Sequence, residues 1–301
     1  MECGSVPTSR TALTGFEGRL LLAFRIGSGG RLVRVSAANP RKPYLRRITV
    51  SIRLTSLLFA LVMSVSLAAC GGGSGPSVRV LFIGNSHTAF NDLAGIVQEL
   101  AGSLDFNADV TAHAPGGWWL RDHAASPETI ALISDGDWDF VVLQEQSMAP
   151  AVSDIARDVS YPAALQLSTL AAGNGADVVL FMTWGHLAGS PGIGYATFES
   201  MQTAIALTYL EFGDALRAEV APVGAAWWLS LSERGDISLF DPDGTHPGVQ
   251  GTYLAAAVLT ATVFDVDAES LGDAAGVEGD IAEALRGFAA RAVEGETPWR
   301  P

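Results

Sequence analysis

The chain of 301 residues has very little cysteine, with Cys3 and Cys70 as its only two. Beyond residue 70 this rules out both a disulfide framework and a cysteine-based zinc site. Lysine is scarcer still, since Lys42 stands alone in the whole sequence. Positive charge is concentrated at the start. Residues 1–69 hold ten Lys and Arg against two Asp and Glu, whereas residues 70–301 hold eight Arg, no Lys and 30 Asp and Glu. The second part therefore carries a formal charge of about −22, against −14 for the whole chain. A surface this acidic repels nucleic-acid phosphates and anionic lipid headgroups, which argues against DNA or RNA as a partner. The excess charge is read as a solubility feature. Internal repeats are missing too, and no low-complexity segment follows residue 75.

What the first 76 residues contain is a different kind of signal. Residues 1–45 show no sustained period and are rich in Arg, Gly, Ser and Pro. Arg46, Arg47 and Arg53 then precede LTSLLFALVMSVSLAAC at residues 54–70. A basic region, an apolar core too short to cross a bilayer comfortably, and small residues at the end make an export signal. Leu67-Ala68-Ala69-Cys70 resembles the bacterial lipobox, in which a signal peptidase cuts before a lipid-modified cysteine. GGGSG at residues 71–75 has the composition of a flexible linker. The resemblance implies a lipoprotein signal peptide over 50–69, lipidation at Cys70 and a glycine-rich tether over 70–76. It also implies a protein held in the bacterial cell envelope, facing the extracytoplasmic side. Export signals begin at the N-terminus, so residues 1–49 are expected to be an upstream extension of the natural start or disordered.

Residues 77–301 are expected to form one domain of ordinary size. Strand-like apolar runs occur at 78–84, 108–113, 140–143, 178–182 and 220–223. Helical patterns lie between and after them, near 92–103, 127–133, 163–172, 196–216, 253–263 and 279–293. Apolar strands alternating with helices predict an α/β fold, with a parallel sheet covered on both faces.

The most informative stretch is VRVLFIGNSHT at residues 78–88. An apolar run stops at Gly84-Asn85-Ser86-His87 and a helical pattern follows, which puts Ser86 at the carboxyl edge of the sheet. Ligands of open α/β sheets bind at that edge. The first N–H groups of the following helix are unpaired and favour negative charge. A serine beside such donors is half of an acyl-transfer site, and the other half is a histidine with an acid partner. FDPDGTHPGVQGTYL at residues 240–254 supplies both. Asp243, three residues before His246, can turn back to hold the imidazole Nδ1–H and leave Nε2 to take a proton from Ser86.

Gly84-Asn85-Ser86 and Asp243-Gly244-Thr245-His246, in that order and about 160 residues apart, resemble the SGNH (GDSL-like) hydrolase family. The resemblance covers residues 77–295. It implies a three-layer α/β/α fold of the flavodoxin-like kind with a five-stranded parallel sheet, catalysis by Ser86, Asp243 and His246, and no cofactor. It also implies an oxyanion hole made of the Ser86 N–H, a glycine N–H after the second strand and a side-chain amide after the third. Gly117 is favoured over Gly116 for the glycine. The third position departs from the family's asparagine: the strand ends Gln144-Glu145-Gln146, with Gln144 favoured and Gln146 the alternate.

The resulting expectation is a membrane-anchored serine esterase acting on O-acetyl or other short-acyl esters of small molecules or carbohydrates. An acyltransferase using the same triad is one alternative, and a non-catalytic carbohydrate-binding surface lipoprotein is another. The remaining histidines are read structurally. His87 is expected to be a wall beside Ser86, His113 and His123 flank the glycine loop, and His186 follows the fourth strand as a loop histidine. No spacing among them matches a metal motif. Trp118, Trp119 and Trp184 are placed on the active edge, with at most one of the first two facing the site, while Trp227 and Trp228 are assigned to the core.

Overall fold

Each strand of the sheet runs parallel to its neighbours, because helices carry the chain back across a face before the next strand begins. The computed structural model describes residues 77–297. The expected signal peptide, Cys70, the tether and residues 1–49 lie outside the described residues. Strand β1 (Val78–Ile83) leads through one helical turn, α1 (Ser86–Ala89), to helix α2 (Leu93–Ser103) and strand β2 (Ala108–His113). Helices α3 (Leu120–Ala125) and α4 (Pro127–Asp135) precede β3 (Phe140–Leu143). The turn α5 (Ser153–Ile155) and helix α6 (Tyr161–Gly173) lead to β4 (Asp177–Phe181), and α7 (Phe198–Leu216) leads to β5 (Glu219–Ala221). Helices α8 (Val223–Glu233), α9 (Val249–Phe264) and α10 (Gly279–Val293) follow.

The strand order is β2-β1-β3-β4-β5. Winding thus reverses beside β1, and the crevice outside the carboxyl ends of β1 and β3 is the topological switch point where such sheets bind ligands. Side chains alternate between the two faces, as the period of a strand demands. Val80 and Phe82 of β1 join Phe140, Val142, Val179 and Phe181 in a core covered by α2, α8, α9 and α10. Leu81 and Ile83 join Val141, Leu143, Leu180 and Met182 in a second core with residues of α4, α6 and α7. The fold is therefore α/β with three layers and a five-stranded parallel sheet. Burial of each large apolar side chain contributes roughly 1.5–3 kcal/mol, so the sheet is a rigid platform for whatever its edge presents.

Helix ends differ from expectation in informative places. The pattern near 92–103 starts one residue later, because Asp92 caps α2 by accepting a hydrogen bond from the Gly95 N–H. The strand expected at 220–223 ends at Ala221, and Val223 already opens α8. Helix α8 had no helical signature in the sequence. Trp227 within it is fully buried, stacked on Trp184 at 4.0 Å with the rings 2° from parallel. Helix α9 is buried from Gly251 to Phe264, so no polar stripe marks its period. Its N-terminus is set against the sheet edge by the loop that carries His246.

Candidate active site

Three features of sequence produce the turn that holds Ser86. Glycine is needed at position 84, since a Cβ there would lie 2.4 Å from Thr88 Oγ1 and 2.5 Å from Gln144 Oε1. Asn85 is buried, and its Oδ1 accepts from the His87 N–H at 3.1 Å, capping α1. Asn85 Nδ2 in turn donates to the Trp118 carbonyl at 2.8 Å, tying the nucleophile turn to the glycine loop. Ser86 is the first residue of α1, so its N–H has no acceptor within the helix. From behind, His123 is wholly buried and its Nε2 donates to the Gly84 carbonyl at 2.8 Å, while Nδ1 lies 3.1 Å from Thr129 Oγ1. A carbonyl can only accept, which fixes the proton on Nε2. Burial lowers the pKa of His123.

The histidine arrives from the other end of the chain on a self-bonded loop. Asp243 Oδ1 accepts from the N–H groups of Thr245 at 2.8 Å and His246 at 2.9 Å, forming an Asx-type turn. Its Oδ2 lies 2.5 Å from His246 Nδ1. His246 Nε2 lies 2.8 Å from Ser86 Oγ. The three side chains are thereby brought into one hydrogen-bonded row. With the Nδ1 proton facing a carboxylate, Nε2 is left as the acceptor for the serine hydroxyl proton. The hydrogen bond from His246 and then the two backbone N–H groups hold the Asp243 carboxyl down, to about 2, so it stays ionised at any ordinary pH. The side chains of Asp243 and His246 are 46% and 25% exposed, so the site opens at the surface.

Two of the expected oxyanion donors sit differently from one another. Pro115 to Trp118 form a turn closed by Trp118 N to Pro115 O at 3.2 Å, with Gly117 at a left-handed φ of 76°. Gly117 is exposed at the apex with open space around it, and a side chain there would be strained. Gln144 corrects the expectation. It is buried, and its Oε1 accepts from the Asn85 N–H at 2.8 Å and Thr88 Oγ1 at 2.9 Å. Because a backbone N–H can only donate, the amide orientation is determined. Its Nε2 donates to Asn85 Oδ1 at 3.0 Å and to the Glu145 carbonyl. Both amide hydrogens are committed, so Gln144 buttresses the nucleophile turn and has no N–H for an oxyanion. Gln146, the alternate, accepts from the N–H groups of Met148 and Ala149, and its Nε2 reaches Ser147 Oγ only at 3.5 Å.

Some residues around the site were not singled out from the sequence. Glu145 is buried, and its Oε1 accepts from the N–H of Leu120 at 3.0 Å and its neighbour Gln146 at 2.7 Å. Burial pushes its carboxyl pKa up. It joins the end of β3 to the start of α3, directly after the glycine turn. An acid and an amide ending an apolar strand were the signal for this role. Trp184, expected at the active edge, is fully buried, and its Nε1 donates to the Thr245 carbonyl at 3.0 Å. Trp118 packs edge-on against His113 and His123, and Trp119 carries the Arg121 guanidinium 4.5 Å above its ring. His186 is half-buried with Nε2 3.3 Å from Ser147 Oγ, and burial lowers its pKa. Among the described residues no three His, Cys, Asp or Glu side chains are grouped as metal ligands.

No family model matches the chain, and no curated protein does. Among solved structures it is similar to a protein from Slackia heliotrinireducens assigned to the SGNH hydrolases, at 30% identity and a TM-score of 0.53. That match covers 62% of this chain and 100% of the other. A DUF4886 family protein from Bacteroides uniformis matches at 16% identity and a TM-score of 0.64, covering 73% of this chain and 96% of its own. The acetyl xylan esterase AlAXEase matches at 14% identity and a TM-score of 0.51, covering 62% of this chain and 100% of its own. The last two likenesses show the fold. The chain belongs to the SGNH hydrolase family, and its site is that of a serine ester hydrolase.

His87 gives this site a pH signature. It is buried beside His246, with ring centroids 5.3 Å apart, and its Nε2 has no partner. Burial, then the neighbouring His246 and His186, lower its pKa to about 3. An unfolded histidine takes a proton near pH 6.5. Between about pH 6.5 and 3 the unfolded state therefore binds a proton that the folded state refuses. Stability is complete above this window and falls as the pH falls through it. Melting temperatures of the His87→Gln variant should decline less than those of the parent between pH 6.5 and 4. Parallel curves would show that His87 is not held neutral in the fold.

Proposed function

We propose that this protein is a lipid-anchored, extracytoplasmic ester hydrolase that acts on O-acetyl or other short-acyl esters, including those carried on carbohydrates. The observation that carries the chemistry is the row Asp243–His246–Ser86, with contacts of 2.5 Å and 2.8 Å. Ser86 Oγ attacks the acyl carbonyl carbon as His246 Nε2 takes the hydroxyl proton. Asp243 keeps the imidazole in the right tautomer and stabilises the imidazolium. The oxyanion is held by the N–H groups of Ser86 and Gly117, at the N-terminus of α1 and the apex of the glycine turn. His246 then returns the proton to the leaving alcohol. Water, deprotonated by the same histidine, attacks the acyl-serine, and His246 passes that proton to Ser86 Oγ as its bond to the acyl carbon breaks and the acid leaves.

The substrate class is supported by the exposure of the triad, which leaves room for an ester projecting from a larger polar molecule. It is also supported by a fold shared with a protein named an acetyl xylan esterase. Anchoring and location are supported by the lipobox ending at Cys70 and by its glycine tether. No helix among the described residues is long and apolar enough to cross a membrane.

Hydrolysis of p-nitrophenyl acetate by the purified full-length protein tests the chemistry. Ser86→Ala and His246→Ala should each lower the rate by about a thousandfold or more. Turnover near the parent's in either variant would refute the triad. The anchoring is tested in the mature protein made in a bacterium with a lipoprotein pathway. Mass spectrometry should find an N-terminus at acylated Cys70, lost in Cys70→Ala. A mature chain that keeps residues 1–69 would overturn it.

A further inference from the structure

Directly after the helical turn of the nucleophile, the backbone departs from what the sequence requires. Asn91 and Asp92 have left-handed φ values of 52° and 55°, although neither is glycine. Asn and Asp enter this region more readily than other residues with a side chain, yet it is the less populated one, and two in succession turn the chain sharply between α1 and α2. Two contacts made by this segment show what the kink accomplishes. The Phe90 ring lies flat on the His246 imidazole, with centroids 4.2 Å apart and planes 10° from parallel. Asn91 Nδ2 donates to the Pro247 carbonyl at 2.9 Å and lies 2.9 Å from Thr252 Oγ1 of α9.

We infer that Phe90 and Asn91 form a positioning clamp for the general base, a role that rests on the triad described above. His246 needs one because its loop is exposed and its only side-chain restraint from its own loop is the Asp243 hydrogen bond at Nδ1. The hydrogen bonds at Nδ1 and Nε2 fix the two ring nitrogens but leave rotation of the imidazole plane about the line between them soft. A flat aromatic face removes that freedom and keeps Nε2 in line with Ser86 Oγ. Asn91 pins the residue after His246, so the ring and its backbone are held from the same left-handed segment. The face of Phe90 also carries the negative side of its quadrupole, which favours the imidazolium formed as His246 takes the serine proton. Both effects belong to the transition state more than to ester binding, so they act on kcat and leave KM nearly unchanged.

The test compares Phe90→Tyr, Phe90→Leu and Asn91→Gly in the full-length protein, with p-nitrophenyl acetate turnover, the labelling rate with a fluorophosphonate, and thermal melting. Tyrosine keeps the stacked face, whereas leucine keeps apolar volume without it. Glycine tolerates the left-handed backbone and removes only the amide. Phe90→Leu should lower kcat about tenfold with KM within about twofold, and the labelling rate should fall in parallel. Phe90→Tyr should retain the parent's kcat, and Asn91→Gly should fall in the same direction as leucine. A folded Phe90→Leu with the parent's kcat, or a tyrosine variant as slow as leucine, would overturn the clamp. If Phe90→Leu does not fold, Asn91→Gly decides: the parent's kcat and labelling rate in it would reject the clamp. Ser86→Ala run alongside separates the two ideas. Its inactivity with an unaffected Phe90→Leu rejects the clamp alone, while its full activity rejects the triad as well.

Discussion

Everything at this site depends on one contact, the 2.8 Å approach of His246 Nε2 to Ser86 Oγ across 160 residues of sequence. A serine hydroxyl at neutral pH is a poor nucleophile, and only a base held within hydrogen-bond reach makes it a good one. Neither partner is carried on a long regular element. Ser86 begins a single helical turn, and His246 lies on a loop in which Asp243 satisfies two backbone N–H groups. The precision of the contact therefore has to come from what surrounds the two loops.

The surroundings are buried and polar, which is costly unless the hydrogen bonds close. They largely do. Gln144 fills the space behind Gly84 and bonds Asn85 on both its oxygen and its nitrogen, and His123 holds the Gly84 carbonyl. Glu145 ties the end of β3 to α3, so the glycine turn is fastened to the same strand that supports the nucleophile. On the histidine side, Trp184 Nε1 bonds the Thr245 carbonyl and is itself locked by its stack on Trp227. The neutral, buried His87 fills the remaining space beside His246. The nucleophile turn and the base loop are thus each braced by core residues, and they meet only at the reacting atoms and a few flanking contacts.

The sheet and the two catalytic motifs were legible because they are local. A parallel strand buried on both faces reads as an apolar run, and the residues of Asp-x-x-His that bond each other are three apart. Parts of the structure determined by distant contacts were not. Helix α8 has no polar stripe because Ala225, Ala226 and Trp227 are all buried, so no helical period marks it in the sequence. Gln144 was read as an oxyanion donor from its place at the strand end, and only the positions of Asn85 and Thr88 show that its amide faces inward. The left-handed pair Asn91-Asp92 sits at the start of a stretch with helical spacing, and the residues this segment contacts, His246 and Pro247, lie about 155 residues away.

The central claim is that His246 makes Ser86 a nucleophile, and the most direct measurement locates the reactive atom. The full-length protein is treated with a limiting fluorophosphonate dose and the adduct is mapped by peptide mass spectrometry. The account requires a single adduct on Ser86, formed at neutral pH and missing at the same dose in His246→Ala. An adduct on another residue, or equal labelling of Ser86 without His246, would contradict it.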